Sequence, residues 1–413
     1  MNDKITKQLF IIEHNEEQTK AALFEDEKLI EYFVETQQNR SLVGNIYRGK
    51  VRKIAPQMNA LFIDIGMPKM GLLSARDVST KDFKQTIELE KLFYEGQIVW
   101  VQVHKDVQTS KLEIDDKGVR LTTELSLETE NLVFLPDNSG VLLSKQITDK
   151  QSRESLKNKV IDRIFEQNIE GGFIIRSNVN DFVQILDDIH DNGLQNEHFQ
   201  NEQWLNDIET LWERWQEIKT SKKQATKVGL IYQSSSLVER LRNQCLQRKI
   251  QKVNVLEGLM GLFEQFDLSV TVLSEDQLNQ KLTSLKIDDQ LQQALEPVVM
   301  LPEGGSIIIE ETEALTVIDV NMGTAIKHGQ TALQVNMNSA AMIAQQLILR
   351  NIAGMIVIDF IRMQRKKDRE TLLQHVNKLM AADNIKVAVY GYTRLGLFEI
   401  SRERIRPCLA NIV

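Results

Sequence analysis

Apolar residues fall along this chain in short runs broken by polar turns, but two runs near its C-terminal end differ from the rest. Leu315-Thr316-Val317-Ile318-Asp319-Val320-Asn321 and Met355-Ile356-Val357-Ile358-Asp359-Phe360-Ile361 are nearly continuous β-branched stretches, each holding one carboxylate. That pattern predicts strands buried on both faces. An unpaired carboxylate inside such a strand is costly, so each Asp is expected where the strand leaves the core, or beside a cation. Between the two runs Met337, Ala340, Ala341, Ala344, Leu347 and Ile348 recur at helical spacing. They predict a helix over residues 334–349, with Gly354 as its stop. A strand–helix–strand unit sets two parallel strands side by side with a right-handed crossover. Both carboxylates then emerge at one carboxyl edge, where open α/β sheets bind their ligands. Asn321, two residues beyond Asp319, points the same way.

The remaining runs are shorter. Residues 9–12, 21–24 and 29–34 predict a meander, followed by a polar linker at 37–41. Residues 44–51, 60–66, 71–73 and 97–103 predict short strands with glycine bends and interleaved basic residues, which fits a small OB-type barrel. Such barrels hold single strands by stacking bases on aromatic rings over a basic groove. Tyr47 and Phe62 are the candidate rings, and Lys50 and Lys117 the candidate phosphate contacts; a lone Phe in a strand is more often core. A helix is predicted over 149–168, then a strand from Gly171 that ends in Arg176 and Ser177. A guanidinium beside a hydroxyl suits a terminal phosphate. Trp204, Leu205, Ile208, Leu211, Trp212 and Trp215 share one helical face and predict core packing. Residues 219–227 read as a boundary, and 228–290 mix strands and helices. A helix at 372–380, a strand at 386–389 and a helix at 399–406 complete the chain.

With 413 residues the chain exceeds one ordinary core, so two to four domains are expected. A hydrophobic content of 42% with 26% charged residues fits a soluble globular protein, and no apolar run is long enough for a membrane-spanning helix. The charged N-terminus lacks an apolar signal core, so a cytosolic location is expected. Cys245 and Cys408 are far apart and in no Cys-x-x-Cys spacing, which argues against a disulfide framework or a cysteine zinc site. Acidic residues outnumber basic ones by 58 to 50, and the net charge of −8 argues against indiscriminate coating of nucleic acid. Basic clusters remain at Arg48, Lys50, Arg52 and Lys53, at Arg365, Lys366 and Lys367, and at Arg402, Arg404 and Arg406. Each is either a local phosphate-binding surface or a solvated face.

Asp319, Asn321 and Asp359 together make an oxygen-rich edge suited to a hard cation such as Mg²⁺. Aspartates that merely cap strand ends give the same pattern.

Taken together, these stretches resemble the ribonuclease E/ribonuclease G family of bacterial endoribonucleases, over nearly the whole chain and closer to its ribonuclease G branch. The likeness rests on residues 42–51, 60–66, 120–123, 171–176, 346–351 and 356–361. It implies a multidomain α/β (α+β) architecture. An RNase H-like subdomain would be split between 1–40 and 228–290. An OB-fold RNA-binding barrel would occupy 41–124, a 5′-end sensor 125–227, and a DNase I-like α/β catalytic domain 291–413. The resemblance implies that Asp319 and Asp359 bind Mg²⁺, with Mn²⁺ as a substitute, and that Asn321 orients them or the attacking water. It implies that Phe62 and Lys117 hold the RNA, and that Arg176 and Ser177, with Val133 and Lys386, sense a 5′-monophosphate. The implied activity is internal cleavage of single-stranded RNA in rRNA processing and mRNA decay, leaving 5′-phosphate and 3′-hydroxyl ends.

Four positions depart from the family pattern. Arg362 stands where relatives carry a third aspartate, and Met322 where a small hydroxyl residue is usual. Asn338 replaces a glutamate, and Leu72 a barrel aromatic. The sequence stops at Val413, before the cysteine pair through which relatives share zinc between subunits. No zinc, no zinc-linked dimer and no small C-terminal domain are therefore expected, while a homodimer without that link stays open. Two further readings also stay open. One is an RNA-binding relative with weak or lost catalysis, supported by Arg362 and Asn338. The other is a metal-dependent phosphatase of small molecules, which leaves the barrel unexplained.

Overall fold

The computed structural model describes residues 6–37, 39–79, 88–105, 118–129, 131–145, 147–176, 179, 203–245, 248, 250–263 and 269–413. Lys117 and Ser177 lie outside the described residues. The chain divides into two units. Met1–Arg40 and Arg248–Val413 form one, and Ser41–Gln247 forms the other as an insertion into it. Strands β1 (Lys7–His14), β2 (Gln18–Glu25) and β3 (Lys28–Thr36) open the first unit as an antiparallel meander.

The inserted unit begins with β4 (Ile46–Ala55), β5 (Ala60–Asp64), β6 (Gly71–Ser74), β7 (Ile98–Lys105) and β8 (Arg120–Thr122). These close on themselves, because β4 pairs with both β5 and β7, β5 with β6, and β8 with both β6 and β7. The result is a closed five-stranded barrel, consistent with an OB fold. Tyr47, Val51, Leu61, Ile63, Leu73, Val101 and Leu121 fill it. Gly49 is required by that crowding, since a Cβ there would stand 2.5 Å from an Ile63 methyl.

Strands β9 (Leu127–Glu128), β10 (Leu132–Leu135), β11 (Gly140–Leu143) and β12 (Gly172–Ile175) form a second sheet in the order β11-β12-β10-β9. It packs against α1 (Lys150–Glu166), capped by Asp149, and α2 (Asn206–Gln224). Trp204, Leu205, Ile208, Leu211 and Trp215 are buried here, so the tryptophan face is core. The Lys222 ammonium lies 5.0 Å from the Trp100 ring and 5.3 Å from that of Trp215, which ties α2 to the barrel wall. Strand β13 (Gly229–Tyr232) pairs with β4. Residues 228–247, including α3 (Leu237–Gln244), therefore belong with the barrel rather than with the meander. This corrects the split expected at residue 228.

The first unit then resumes. Strands β14 (Lys252–Leu256) and β15 (Ser269–Leu273) extend the meander sheet in parallel from β1, and α4 (Glu275–Ser284) and α5 (Ile287–Leu295) cover it. The last sheet has the order β16-β17-β18-β19-β21-β20. Its strands are β16 (Val298–Met300), β17 (Ser306–Glu311), β18 (Leu315–Asn321), β19 (Gly354–Asp359), β20 (Val387–Tyr392) and β21 (Phe398–Arg402). Helices α6 (Ala332–Leu349) and α7 (Lys366–Met380) bury one face of it, where Ile318, Ile356, Ile358 and Phe398 meet Ile343, Leu347, Leu372 and Val376. Strands β18 and β19 are parallel, as the strand–helix–strand pattern predicts, but each buries one face only: Val317 and Met355 are exposed, because the helices cover just the side that carries Ile318, Ile356 and Ile358.

Three local expectations change. Residues 398–402 form a strand rather than part of a helix. Phe398, Ile400 and Arg402 are buried while Glu399 is exposed, a period of two. Helix α6 buries Asn336, Ser339 and Gln346, because it contacts β3 on one side and β17 on another and so has no single apolar stripe. Its left-handed terminator is Asn351 (φ +48°), whose amide donates to the carbonyls of Arg406 and Pro407, while Gly354 (φ +97°) opens β19. No helix among the described residues is long and apolar enough to cross a membrane.

Candidate active site

In the parallel pair β18–β19, Asp319 stands directly beside Asp359. Adjacent strands lie about 4.8 Å apart, so both carboxylates leave the sheet at one edge within reach of one ion. Asn321 donates from Nδ2 to Asp319 Oδ2 at 2.8 Å, fixing that carboxylate and leaving the amide oxygen as a further acceptor. Asp319 is half-buried, and Asp359 and Asn321 are exposed. Among the described residues no three or more of His, Cys, Asp and Glu stand together as a metal cage. Two carboxylates and an amide oxygen fit Mg²⁺, which keeps several waters and takes one or two carboxylates plus substrate phosphates. They do not fit a structural zinc, which takes four nitrogen or sulfur ligands.

The chain just beyond Asp359 is held by a residue to which the hydrophobic pattern gives no clue. Asn336, fully buried on α6, donates from Nδ2 to the Ile361 carbonyl at 2.8 Å and accepts the Ile361 N–H on Oδ1 at 2.9 Å. This two-way clamp makes Asn336 a positioning residue for Asp359. Its only signal in the sequence is a polar side chain within an apolar helix.

On the barrel, directly paired residues share a face. Lys53, Phe62, Leu72 and Arg120 form one row across β4, β5, β6 and β8, with Lys50 beside Asp64 in the next. Phe62 and Lys50 are partly exposed, so the row presents a ring flanked by cations. The Gly66 N–H and then the Arg52 guanidinium hold the Asp64 carboxyl below its usual range. Tyr47 does not join this face, contrary to expectation. It shares the inward parity of Gly49 and Val51, is 4% exposed, and has its hydroxyl beside Asn45 and Met67. Its ring is core and offers no surface to a base.

In the second sheet of that unit, Val133 pairs with Ile174 on one side and Glu128 on the other. Arg176 follows β12 and forms an ion pair with Glu128. The structure thus brings Val133 and Arg176 to one sheet face, with an acidic neighbour that the sequence reading omits. Nearby, burial pushes the Asp207 carboxyl up, against hydrogen bonds from Thr129 and Asn131. Lys386 belongs to the other unit, just before β20.

A profile of the Ribonuclease E/G family matches residues 193–405. Ribonuclease G of Haemophilus influenzae is 32% identical over 416 residues, spanning 96% of this chain and 79% of that protein. The chain belongs to the ribonuclease E/G family. Ribonuclease G of Escherichia coli K12 is 30% identical, spanning 96% of this chain and 80% of its own length. Ribonuclease E of H. influenzae is 28% identical over 98% of this chain but only 42% of itself. For a ribonuclease E/G chain, the placement of two unusual residues is informative. Leu72 pairs directly with Phe62, so this row carries one ring and one aliphatic side chain. Arg362 is exposed, three residues beyond Asp359 in sequence.

Proposed function

We propose that this chain is an endoribonuclease that hydrolyses single-stranded RNA at the edge carrying Asp319 and Asp359, leaving 5′-phosphate and 3′-hydroxyl ends. Family membership supports the hydrolase class. The in-register pairing of the two carboxylates is the observation that carries the site. Asp319 and Asp359 would hold Mg²⁺, or Mn²⁺ in its place. When bound, the ion polarises the scissile phosphate and acidifies an attacking water. Asn321 keeps Asp319 in one rotamer, and Asn336 fixes the backbone after Asp359. The barrel row around Phe62 would take splayed bases, which favours single strands over duplex. Ribosomal RNA precursors and messenger RNA in the cytosol are the proposed targets, with a 5′-monophosphate as stimulant.

Incubation with a 5′-monophosphorylated, A/U-rich oligonucleotide and Mg²⁺ tests this, and shorter products bearing 5′-phosphates are expected. RNA that is bound but stays intact would instead favour an RNA-binding relative with weak catalysis, a reading supported by the exposed Arg362 three residues after Asp359.

Two narrower outcomes follow. Phe62→Ala is expected to weaken single-strand binding by about 1–3 kcal/mol, the usual worth of a base–ring stack. Anisotropy titration reads this, and unchanged affinity would assign the ring to the barrel alone. Arg176 is already neutralised by Glu128, so a terminal phosphate must compete with an internal carboxylate. Exposed ion pairs contribute about 0–1 kcal/mol. Glu128→Gln should therefore raise the preference for a 5′-monophosphate over a 5′-hydroxyl by up to about fivefold. A cleavage ratio that does not move would remove Arg176 from 5′-end recognition.

A further inference from the structure

The row on the outer face of the barrel does not end at Arg120. Lys105 on β7 pairs with Arg120, so Lys53, Phe62, Leu72, Arg120 and Lys105 follow one another across five strands. The register shifts between Val103 and Lys105, which leaves His104 as an extra residue in β7. In such a bulge two residues oppose one on the partner strand, so His104 and Lys105 both stand opposite Arg120. All three are exposed. Arg120 lies two strand spacings, about 10 Å, from Phe62, within reach of the same RNA strand.

Beside the imidazole is Asp77, in the short 3₁₀ turn Ala75–Asp77 that follows β6. The Thr122 hydroxyl and the Thr123 N–H donate to the Asp77 carbonyl at 2.8 and 3.0 Å, which anchors this turn to β8. The carboxylate takes no part in that anchoring. Its Oδ1 lies 3.7 Å from His104 Nε2, and its Oδ2 is enclosed yet makes no hydrogen bond with any described residue. An enclosed carboxylate oxygen without a donor is costly, and a positive charge beside it offsets that cost. In the free protein that charge is opposed. Burial lowers the His104 pKa, Asp77 pulls it back up, and Arg120 and Lys105 push it down again, with a net fall. The ring is therefore mostly neutral at pH 7. A backbone phosphate seated on Arg120 and Lys105 reverses the balance. It neutralises the two cations and adds an anion of its own, and both changes favour the imidazolium. Once charged, the ring has two N–H donors, one for Asp77 and one for a phosphate oxygen.

We propose that His104 is a phosphate contact of the barrel's RNA face, which takes up a proton as the strand binds and holds the phosphate together with Arg120 and Lys105, with Asp77 supporting the charged ring. This contact rests on the single-strand binding proposed above for the row around Phe62. It makes RNA affinity depend on pH in one direction. Below the pKa of the free protein the ring is charged in both states, and above that of the complex it is neutral in both. Between the two, affinity rises as pH falls.

The test is anisotropy of the full chain with a single-stranded oligonucleotide, between about pH 8 and about pH 6 and over a series of salt concentrations. Mg²⁺ is omitted so that the strand stays intact. The 5′ end is a hydroxyl, because a terminal phosphate titrates near pH 6 itself. Wild-type affinity is expected to rise about fivefold from the higher pH to the lower. Each phosphate contact adds about 0.7 to the salt-dependence slope for single strands, so the slope should also steepen by about 0.7. His104→Gln should lose both increments. Asp77→Asn, which leaves the anchoring carbonyl in place, should lose most of them, and thermal melts confirm the fold of each variant. Arg120→Gln should lower affinity and slope at both pH values. Increments in His104→Gln equal to those of the wild type would overturn the contact alone. Wild-type affinity and slope in Arg120→Gln, or failure of the wild type to bind RNA, would overturn the barrel reading with it.

Discussion

Asp319→Ala and Asp359→Ala are each expected to slow RNA cleavage by about a thousandfold or more, while the protein melts within a few degrees of the wild type. The rate effect follows from what each side chain does. A divalent ion supplies several kcal/mol of stabilisation to the charge that develops on a phosphodiester, and each 1.36 kcal/mol is a factor of ten in rate. Among the described residues the pair Asp319 and Asp359 supplies the edge's carboxylates, so removing either leaves one anionic ligand, and the ion loses both affinity and placement. The small stability effect follows from where the residues sit. Asp319 is only half-buried and Asp359 is exposed, at the carboxyl ends of strands whose apolar faces remain packed. Asn321→Ala should fall between wild type and these variants, at about ten- to a hundredfold, the usual cost of losing a group that orients a ligand. Single-turnover cleavage over a Mg²⁺ titration measures all three. Activity within tenfold of wild type for either aspartate variant would move the chemistry away from this edge. Asn336→Ala offers a complementary check. It frees the Ile361 backbone without touching a carboxylate, so its defect should grow as Mg²⁺ becomes limiting.

This edge was legible in the sequence because its strands are long, β-branched and interrupted once each by a carboxylate. Residue parity alone then placed Asn321 beside Asp319. The same rule could have placed Tyr47 inside the barrel: Val51 shares its parity, while Arg48, Lys50 and Arg52 share the other. What parity could not reveal is burial of charge. Strand β21 reads as polar because Arg402 points inward, where Asp383 accepts from it at 2.7 and 3.3 Å and Asn351 accepts at 3.1 Å. Helix α6 misleads for a related reason, since its buried Asn336 answers the backbone of Ile361 on another segment. Partners of this kind are far apart in sequence, so no local window contains the signal. The same holds for the Arg176–Glu128 pair, which decides whether the guanidinium is available to a phosphate.

The most consequential of these hidden charges is Glu31, and Glu31→Ala is expected to destabilise the discontinuous unit by about 3–5 kcal/mol, the usual cost of breaking a buried ion pair from one side. Glu31 lies on β3 and is 5% exposed. Arg248 donates to its Oε1 at 2.9 Å and Arg406 to its Oε2 at 2.9 Å. Both guanidiniums also lie over the Phe33 ring, at 5.8 and 4.3 Å from its centroid. Burial pulls the Arg406 pKa down, with Glu31 opposing that pull. One carboxylate therefore offsets two cations, and its removal leaves two like charges against one ring without a counterion. The three segments involved are the N-terminal meander, the residue where the chain re-enters this unit after the insertion, and the stretch following β21. The pair thus closes a unit whose two parts are separated by the whole barrel region. Glu31→Gln keeps the shape but not the charge and should cost less than Glu31→Ala. A double-mutant cycle with Arg406→Met should recover part of the loss, because removing a cation relieves the uncompensated charge. Urea unfolding of the full chain measures these differences, and a loss below about 1 kcal/mol for Glu31→Ala would show that the cluster is solvated and carries no closure. If the larger loss is found, cleavage by Glu31→Ala should fail at lower temperature than in the wild type, since Asp319 and Asp359 belong to the unit that this carboxylate holds shut.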